Sequence, residues 1–221
     1  MTTFEVEAER PPIEEQRVEA AREERCPTCG TELPAGFRFC GQCGRALAAT
    51  LAPAPGQRLT IAFLDLEGFT SFASRVEENE VRELIGAFHA IVREQVDRHG
   101  GFEVKQLGDG FMLAFSDPAR AIACAADVQR MTVQDPMVPA IRVCAGLNSG
   151  DAIRHGDDFF GHTVNVASRI VDRAAGGQVL LSKTTRLLAD SVDGIRFVNA
   201  GRRRLRGLRG RHRLFEAVYW E

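Results

Sequence analysis

Two sets of side chains in this 221-residue chain have types and spacing suited to chemistry. The first is cysteine. Cys26 and Cys29, then Cys40 and Cys43, form two C-x-x-C pairs. Two such pairs docked face to face place four thiolates at the corners of a tetrahedron, the closed coordination of a structural zinc ion. Gly30 and Gly44 follow the second cysteine of each pair, where the chain must turn so that backbone N–H groups face sulfur. Residues 33–36 (Leu-Pro-Ala-Gly) read as a turn joining two short strands. A disulfide pair and a redox C-x-x-C are the competing chemistries. The first lacks a secretory signal, and the second needs one reactive pair rather than two matched ones. So short a segment buries too little apolar surface to fold unaided, so metal binding would supply its folding energy. One Zn²⁺ is expected, with no open position for catalysis. Cys124 and Cys144 lie in apolar sequence and read as small buried hydrophobes.

The second set lies further on. Asp65 follows the apolar run Ile61-Ala62-Phe63-Leu64, and Asp109 stands between Gly108 and Gly110. Paired carboxylates on one rim suit hard divalent ions. The residues alone also allow a helix N-cap at Asp65 and an Asx-type turn cap at Asp109. Gly68-Phe69-Thr70 is a glycine turn leading into a helical stretch, and its backbone N–H groups suit phosphate. Only two of the 28 cationic residues are lysine, so Lys105 inside a strand departs from the chain's preference for arginine. It offers a compact donor to a ring nitrogen or phosphate, or else snorkels from the sheet face. Asn165 and Arg169 are four apart in a helix and share a face. There arginine would stabilise phosphoryl charge and asparagine orient a sugar, unless the face is simply solvated.

These residues need elements to hold them. Strands are expected at 58–66, 102–107, 111–115, 141–148, 152–155 and 179–182, near Phe197 and Arg203, and at 214–219. Helices are expected at 77–99, 119–131, 163–174 and 184–189. Gly108-Asp109-Gly110 and Ser149-Gly150-Asp151 read as the turns of two hairpins. The order β-α-β-β-α-β with later αβ and β elements predicts an α+β fold: a ferredoxin-like antiparallel sheet with helices on one face. Residues 1–25 form an acidic tail, disordered or helical over 13–25; residues 26–45 form the cysteine module; residues 46–57 are an Ala/Pro linker; residues 58–221 are the main domain.

Three separated motifs in order, F-L-D-L-E-G-F-T from Phe63, K-Q-L-G-D-G from Lys105 and D-F-F-G-H-T-V-N-V-A-S-R from Asp158, resemble the class III nucleotidyl cyclase catalytic domain. The resemblance spans essentially all of residues 58–221, and the cysteine module resembles small bacterial zinc ribbons. It implies an adenylate cyclase that converts ATP to 3′,5′-cyclic AMP and pyrophosphate with two Mg²⁺ or Mn²⁺ per site. By this resemblance Asp65 and Asp109, with the carbonyl of Leu66, bind metal. Lys105 and Asp158 read the purine in the adenylyl manner, Asn165 orients the ribose, and Arg169 stabilises the transition state. Arg209, in Arg206-Gly207-Leu208-Arg209-Gly210, is the candidate for a triphosphate contact, although that segment is one residue longer than the common lysine pattern. The resemblance also implies a head-to-tail homodimer, each site taking its metal aspartates from one protomer and the remaining groups from the other. Control through the zinc ribbon, with a protein partner there, is expected. The readings kept beside it are a catalytically silent nucleotide sensor and a ribbon-driven nucleic-acid adaptor.

Charge bears on partners only locally. The net charge of −2 averages residues 1–25, with eight Glu and four Arg, against residues 202–213, with seven Arg and no acid. No aromatic residue interleaves with that basic run, so nucleic acid is not expected as a partner. No basic start with an apolar run and no 18-residue apolar window is present, which predicts a cytoplasmic protein without a membrane span.

Overall fold

The computed structural model describes residues 24–25, 29–33, 42, 53, 56–135 and 142–219. The chain divides into two compact units, Met1–Ala48 and Ala49–Glu221. In the first, β1 (Glu24–Arg25) pairs antiparallel with β2 (Glu32–Leu33). Glu24 and Arg25 are therefore extended, whereas the sequence suggested a helix reaching residue 25. Cys29 Sγ contacts Thr31 Oγ1 at 3.2 Å. Cys26, Cys40 and Cys43, the turn at 34–36 and most of the acidic tail and linker lie outside the described residues.

The second unit is built on a seven-stranded sheet. Its strands are β3 (Arg58–Leu66), β4 (Phe102–Leu107), β5 (Gly110–Phe115), β6 (Val143–Asp151), β9 (Val179–Ser182), β10 (Ile195–Arg203) and β11 (His212–Tyr219), in the spatial order β10-β11-β9-β6-β3-β5-β4. A separate ribbon pairs β7 (Ile153–His155) with β8 (Asp158–Phe160). The helices are α1 (Phe69–Ala73), α2 (Glu78–Arg98), α3 (Pro118–Gln134), α4 (His162–Val171) and α5 (Lys183–Leu188). None of the described helices is long and apolar enough to cross a membrane.

The α+β class follows the expectation, and the structure departs from it in three places. First, Ser149-Gly150-Asp151 is not a turn. All nine residues of β6 pair with β3, from Arg58↔Asp151 to Leu66↔Val143. Gly150 is there because α4 passes close by: a Cβ would lie 2.6 Å from Thr163 Oγ1. The turn falls instead at Gly156-Asp157, between β7 and β8. Second, β6 and β9 are parallel, which the crossover through α4 permits; a hairpin cannot join parallel neighbours. Third, helices cover both faces. Ala62, Leu64, Leu113, Phe115, Ala145 and Leu181 pack with Phe88, Val92, Ile122 and Val128 of α2 and α3. On the opposite face Leu59, Ile61 and Met112 pack with Ala167 of α4, and Leu180 and Leu214 with its Val166 and Ile170. Strand alternation sends successive side chains to opposite faces, so this sheet supports two apolar layers. Each fully buried Leu, Ile or Phe contributes about 1.5–3 kcal/mol.

Two local features seat the helices. Asp117 accepts hydrogen bonds from the N–H groups of Ala119 (2.8 Å) and Arg120 (3.4 Å), with Pro118 at the first helical position of α3. Gly146 lets α4 approach the sheet, since a Cβ there would stand 2.2 Å from the backbone nitrogen of Val171.

Candidate active site

The β4–β5 hairpin carries two of the expected site residues. Its loop is Gly108-Asp109, between the paired Leu107 and Gly110. Gly108 has φ 64°, the conformation a two-residue hairpin turn favours at its first position. Gln106 Nε2 donates to the Gly108 carbonyl at 3.2 Å, bracing the turn. The loop comes to rest beside the end of β3, although β3 neighbours β5 rather than β4. Gly110 makes this possible, because a Cβ there would lie 2.5 Å from the Leu64 carbonyl oxygen and 3.4 Å from Asp65 Oδ1.

Asp65 and Asp109 are thereby brought together. Partial burial of Asp65 and then the charge of Asp109 push the Asp65 carboxyl above its usual value, against the N–H of Leu66 donating to Asp65 Oδ1 at 3.0 Å. Neither carboxylate has an ion-pair partner among the described residues. The helix-cap alternative for Asp65 is set aside, because the N-cap of α1 is Gly68. No group of three or more His, Cys, Asp or Glu side chains forms a metal cluster among the described residues, so the protein offers a two-carboxylate rim. An adjacent acid pair without a cation is the donor set that a hard divalent ion would satisfy.

Four residues before Asp109 on the same hairpin, Lys105 meets the β7–β8 ribbon. Its Nζ donates to Asp158 Oδ2 at 2.6 Å and lies 5.7 Å from the centre of the Phe160 ring. Asp158 Oδ1 also accepts from the Phe159 N–H at 2.8 Å. Desolvation opposes ionisation of Asp158, but the hydrogen bonds from Lys105 and Phe159 and the lysine charge outweigh it and hold the carboxyl below its usual value. Phe159 is buried edge-on against Phe102, fixing the ribbon to β4. Lys105 therefore does not simply snorkel.

Asn165 and Arg169 sit one turn apart on α4. Arg169 Nη1 donates to Asp172 Oδ2 at 3.0 Å, and both side chains are more than 40% exposed. Asp172, at the end of α4, is close enough to Asp65 for its charge to add to the upward push on that carboxyl. No bond joins Asn165 or Arg169 to either of the two pairs among the described residues. Gly68-Phe69-Thr70 opens α1, which is only five residues long, and Phe69 packs on the main core. Leu66 is buried at the end of β3. Arg209 lines a cavity of about 440 Å³ together with Arg173, Arg204, Arg206 and Arg211. Sequence reading missed Asp172 and Arg173. The spacing of three between Arg169 and Asp172 was the available signal for the first.

The family model of the adenylate and guanylate cyclase catalytic domain matches residues 51–219, and a zinc-ribbon model matches residues 25–47. A pH-sensitive adenylate cyclase of Mycobacterium tuberculosis is 38% identical over 167 residues, covering 74% of this chain and 41% of the relative. An adenylate cyclase of Streptomyces coelicolor is 37% identical over 125 residues, covering 57% and 32%. The chain thus spans about two fifths or less of these relatives' length. In structure, an adenylate cyclase of Trypanosoma brucei solved in its monomeric state superposes with TM-score 0.68 at 23% identity, covering 75% of this chain and 90% of that one. The adenylyl cyclase CyaB of P. aeruginosa superposes with TM-score 0.66 at 21% identity, covering 75% and 95%.

Proposed function

The chain belongs to the adenylate and guanylate cyclase catalytic-domain family, and on that premise we propose that it converts ATP to 3′,5′-cyclic AMP and pyrophosphate. The observation that carries the choice of ATP is the Lys105–Asp158 pair at 2.6 Å. Adenine offers an acceptor at N1 and a donor at its 6-amino group, which matches a lysine donor beside an aspartate acceptor. Guanine reverses both, with a donor at N1 and an acceptor at O6, and would face donor against donor and acceptor against acceptor.

Asp65 and Asp109, with the Leu66 carbonyl, would hold two Mg²⁺ or Mn²⁺. Ions held by these residues would supply acidification of the ribose 3′-hydroxyl and neutralisation of charge on the phosphates. The lack of any cation beside the two carboxylates among the described residues supports this assignment. Asn165 orients the ribose. Arg169 leaves Asp172 to reach the α-phosphoryl group, and an exposed pair of this kind holds it by only about 0–1 kcal/mol. Arg209 contacts the triphosphate, and the backbone at Gly68, Phe69 and Thr70 lies alongside the phosphates. The four N-terminal cysteines hold one Zn²⁺, and the ribbon receives the regulatory partner.

We place the site between two head-to-tail protomers. Asp65 and Asp109 come from one, and Lys105, Asp158, Asn165 and Arg169 from its partner. The test is complementation: Asp65→Ala and Arg169→Ala proteins, each inactive alone, regain about one working site per mixed dimer. Failure of two folded, exchanging variants to complement sinks the shared site. Absence of cyclic AMP from ATP with Mg²⁺ or Mn²⁺ in folded wild-type dimer sinks the activity itself.

A further inference from the structure

A buried chain of hydroxyls runs beneath the sheet's second half and ends at a cavity with no assigned role. Thr60 (β3), Ser149 (β6), Thr185 (α5) and Ser182 are 1%, 5%, 0% and 9% exposed. Ser149 donates to Thr185 at 3.0 Å, so the 2.7 Å contact between Thr60 and Ser149 takes the Thr60 proton. Thr185 accepts from Ser149, and its own proton goes to Ser182 at 3.0 Å. Reversing that last bond would strand the Thr185 proton at a fully buried position. Ser182 Oγ further accepts the Thr185 N–H at 3.1 Å. Every proton of the relay then has an acceptor except that of Ser182, which finds none among the described residues. A buried donor left in this state is costly unless something outside the chain accepts from it.

Ser182 lines a cavity of about 300 Å³ whose rim carries His162, Lys183, His212 and Arg213, and no Asp or Glu among the described residues lines it. Neither Lys183 nor Arg213 has a carboxylate partner among the described residues. His212 Nε2 faces the Arg209 carbonyl at 3.2 Å; since a carbonyl only accepts, this nitrogen carries a proton. We propose that this cavity binds a small oxoanion, inorganic phosphate in the simplest case, whose oxygens accept from Ser182 and pair with Lys183 and Arg213. None of the expected catalytic residues lines it. Its wall includes Val166 and Ile170 of α4, about a quarter-turn round the helix from Asn165 and Arg169, so occupancy braces the helix that carries them.

The test uses the full chain without added nucleotide, Mg²⁺ or Mn²⁺, with ionic strength held constant. Phosphate should raise the thermal midpoint with saturation, as a ligand of the native state does. Ser182→Asp keeps an acceptor for the Thr185 N–H and fills the site with negative charge. The Lys183→Ala/Arg213→Ala pair removes the exposed cations and, should Ser182→Asp fail to fold, decides alone. Each change should weaken the apparent phosphate affinity at least tenfold. Acetate in a parallel titration separates sources: a stronger phosphate response identifies phosphate, and a stronger acetate response identifies a carboxylate, either one supporting an oxoanion site. Three results overturn it: no response in the wild type, an unchanged response in the variants, or loss of the response in Arg209→Ala, which would put the anion in the arginine-walled cavity.

Discussion

One hairpin, β4–β5, takes part in two acid-containing pairs with opposite electrostatics. At its loop Asp109 meets Asp65, and burial with like charge pushes the Asp65 carboxyl up. On its flank Lys105 meets Asp158, where donated hydrogen bonds and opposite charge overcome desolvation and hold that carboxyl down. The first pair has no cation beside it among the described residues and is suited to an external one. The second is satisfied and pre-set to present one donor and one acceptor. Aspartates separated by environment in this way take different roles without any difference in residue type.

The largest way to break the contrast is removal of the acid pair. Asp65→Ala or Asp109→Ala should lower kcat by about 10²–10⁴-fold, because metal at the phosphates is worth several kcal/mol. Assays of cyclic AMP with saturating Mn²⁺ check this, and metal rescue to wild-type rate would refute it. Lys105→Glu should act on the other pair, reducing kcat/KM for ATP by about 10–150-fold, the value of a hydrogen bond to a charged group. The ratio of ATP to GTP turnover should fall with it; an unchanged ratio would remove Lys105 from purine selection.

Next in size is Gly146→Ala, which touches neither pair. The added methyl meets the Val171 backbone and should destabilise the fold by about 1–3 kcal/mol. Chemical denaturation reads it, and a neutral result would mean that α4 is not seated on Gly146.

The smallest effect tests the sign of the contrast in metal-free protein. Asp158, lowered in the fold, stabilises above its unfolded pKa and loses that contribution as pH falls through the folded value. Asp65, raised in the fold, behaves in reverse: its contribution is present below its unfolded pKa of about 3.8 and is lost as pH rises through the folded value. At neutral pH, Asp158→Asn should therefore lower the thermal midpoint slightly and Asp65→Asn raise it slightly, each reflecting a stability change of less than about 1 kcal/mol. Shifts of the same sign would mean that the two environments are not opposed.

The site was more legible than the fold around it. Asp65, Asp109 and Lys105 stood out because acids beside an apolar run or glycines, and a rare lysine within a strand, are local anomalies; Asp158 entered only through the resemblance of its motif. The structure brings them together as two pairs. The turn at Ser149-Gly150-Asp151 misled because a glycine demanded by a neighbouring helix looks, in sequence, like one demanded by a turn. Asp172 was missed because a charged residue at helical spacing is ordinary until its neighbour across space is known.

By itself the sequence determined which residue types could bind metal, donate to a purine or hold zinc, since side-chain chemistry and spacing along one element are local properties. Tertiary structure decided which of them meet. Asp109 reaches Asp65 because Gly110 lets the loop close against β3. Lys105 finds Asp158 because Phe159 anchors a separate ribbon to β4. Those contacts depend on packing between segments far apart in the chain, and no local pattern encodes a distance across the core.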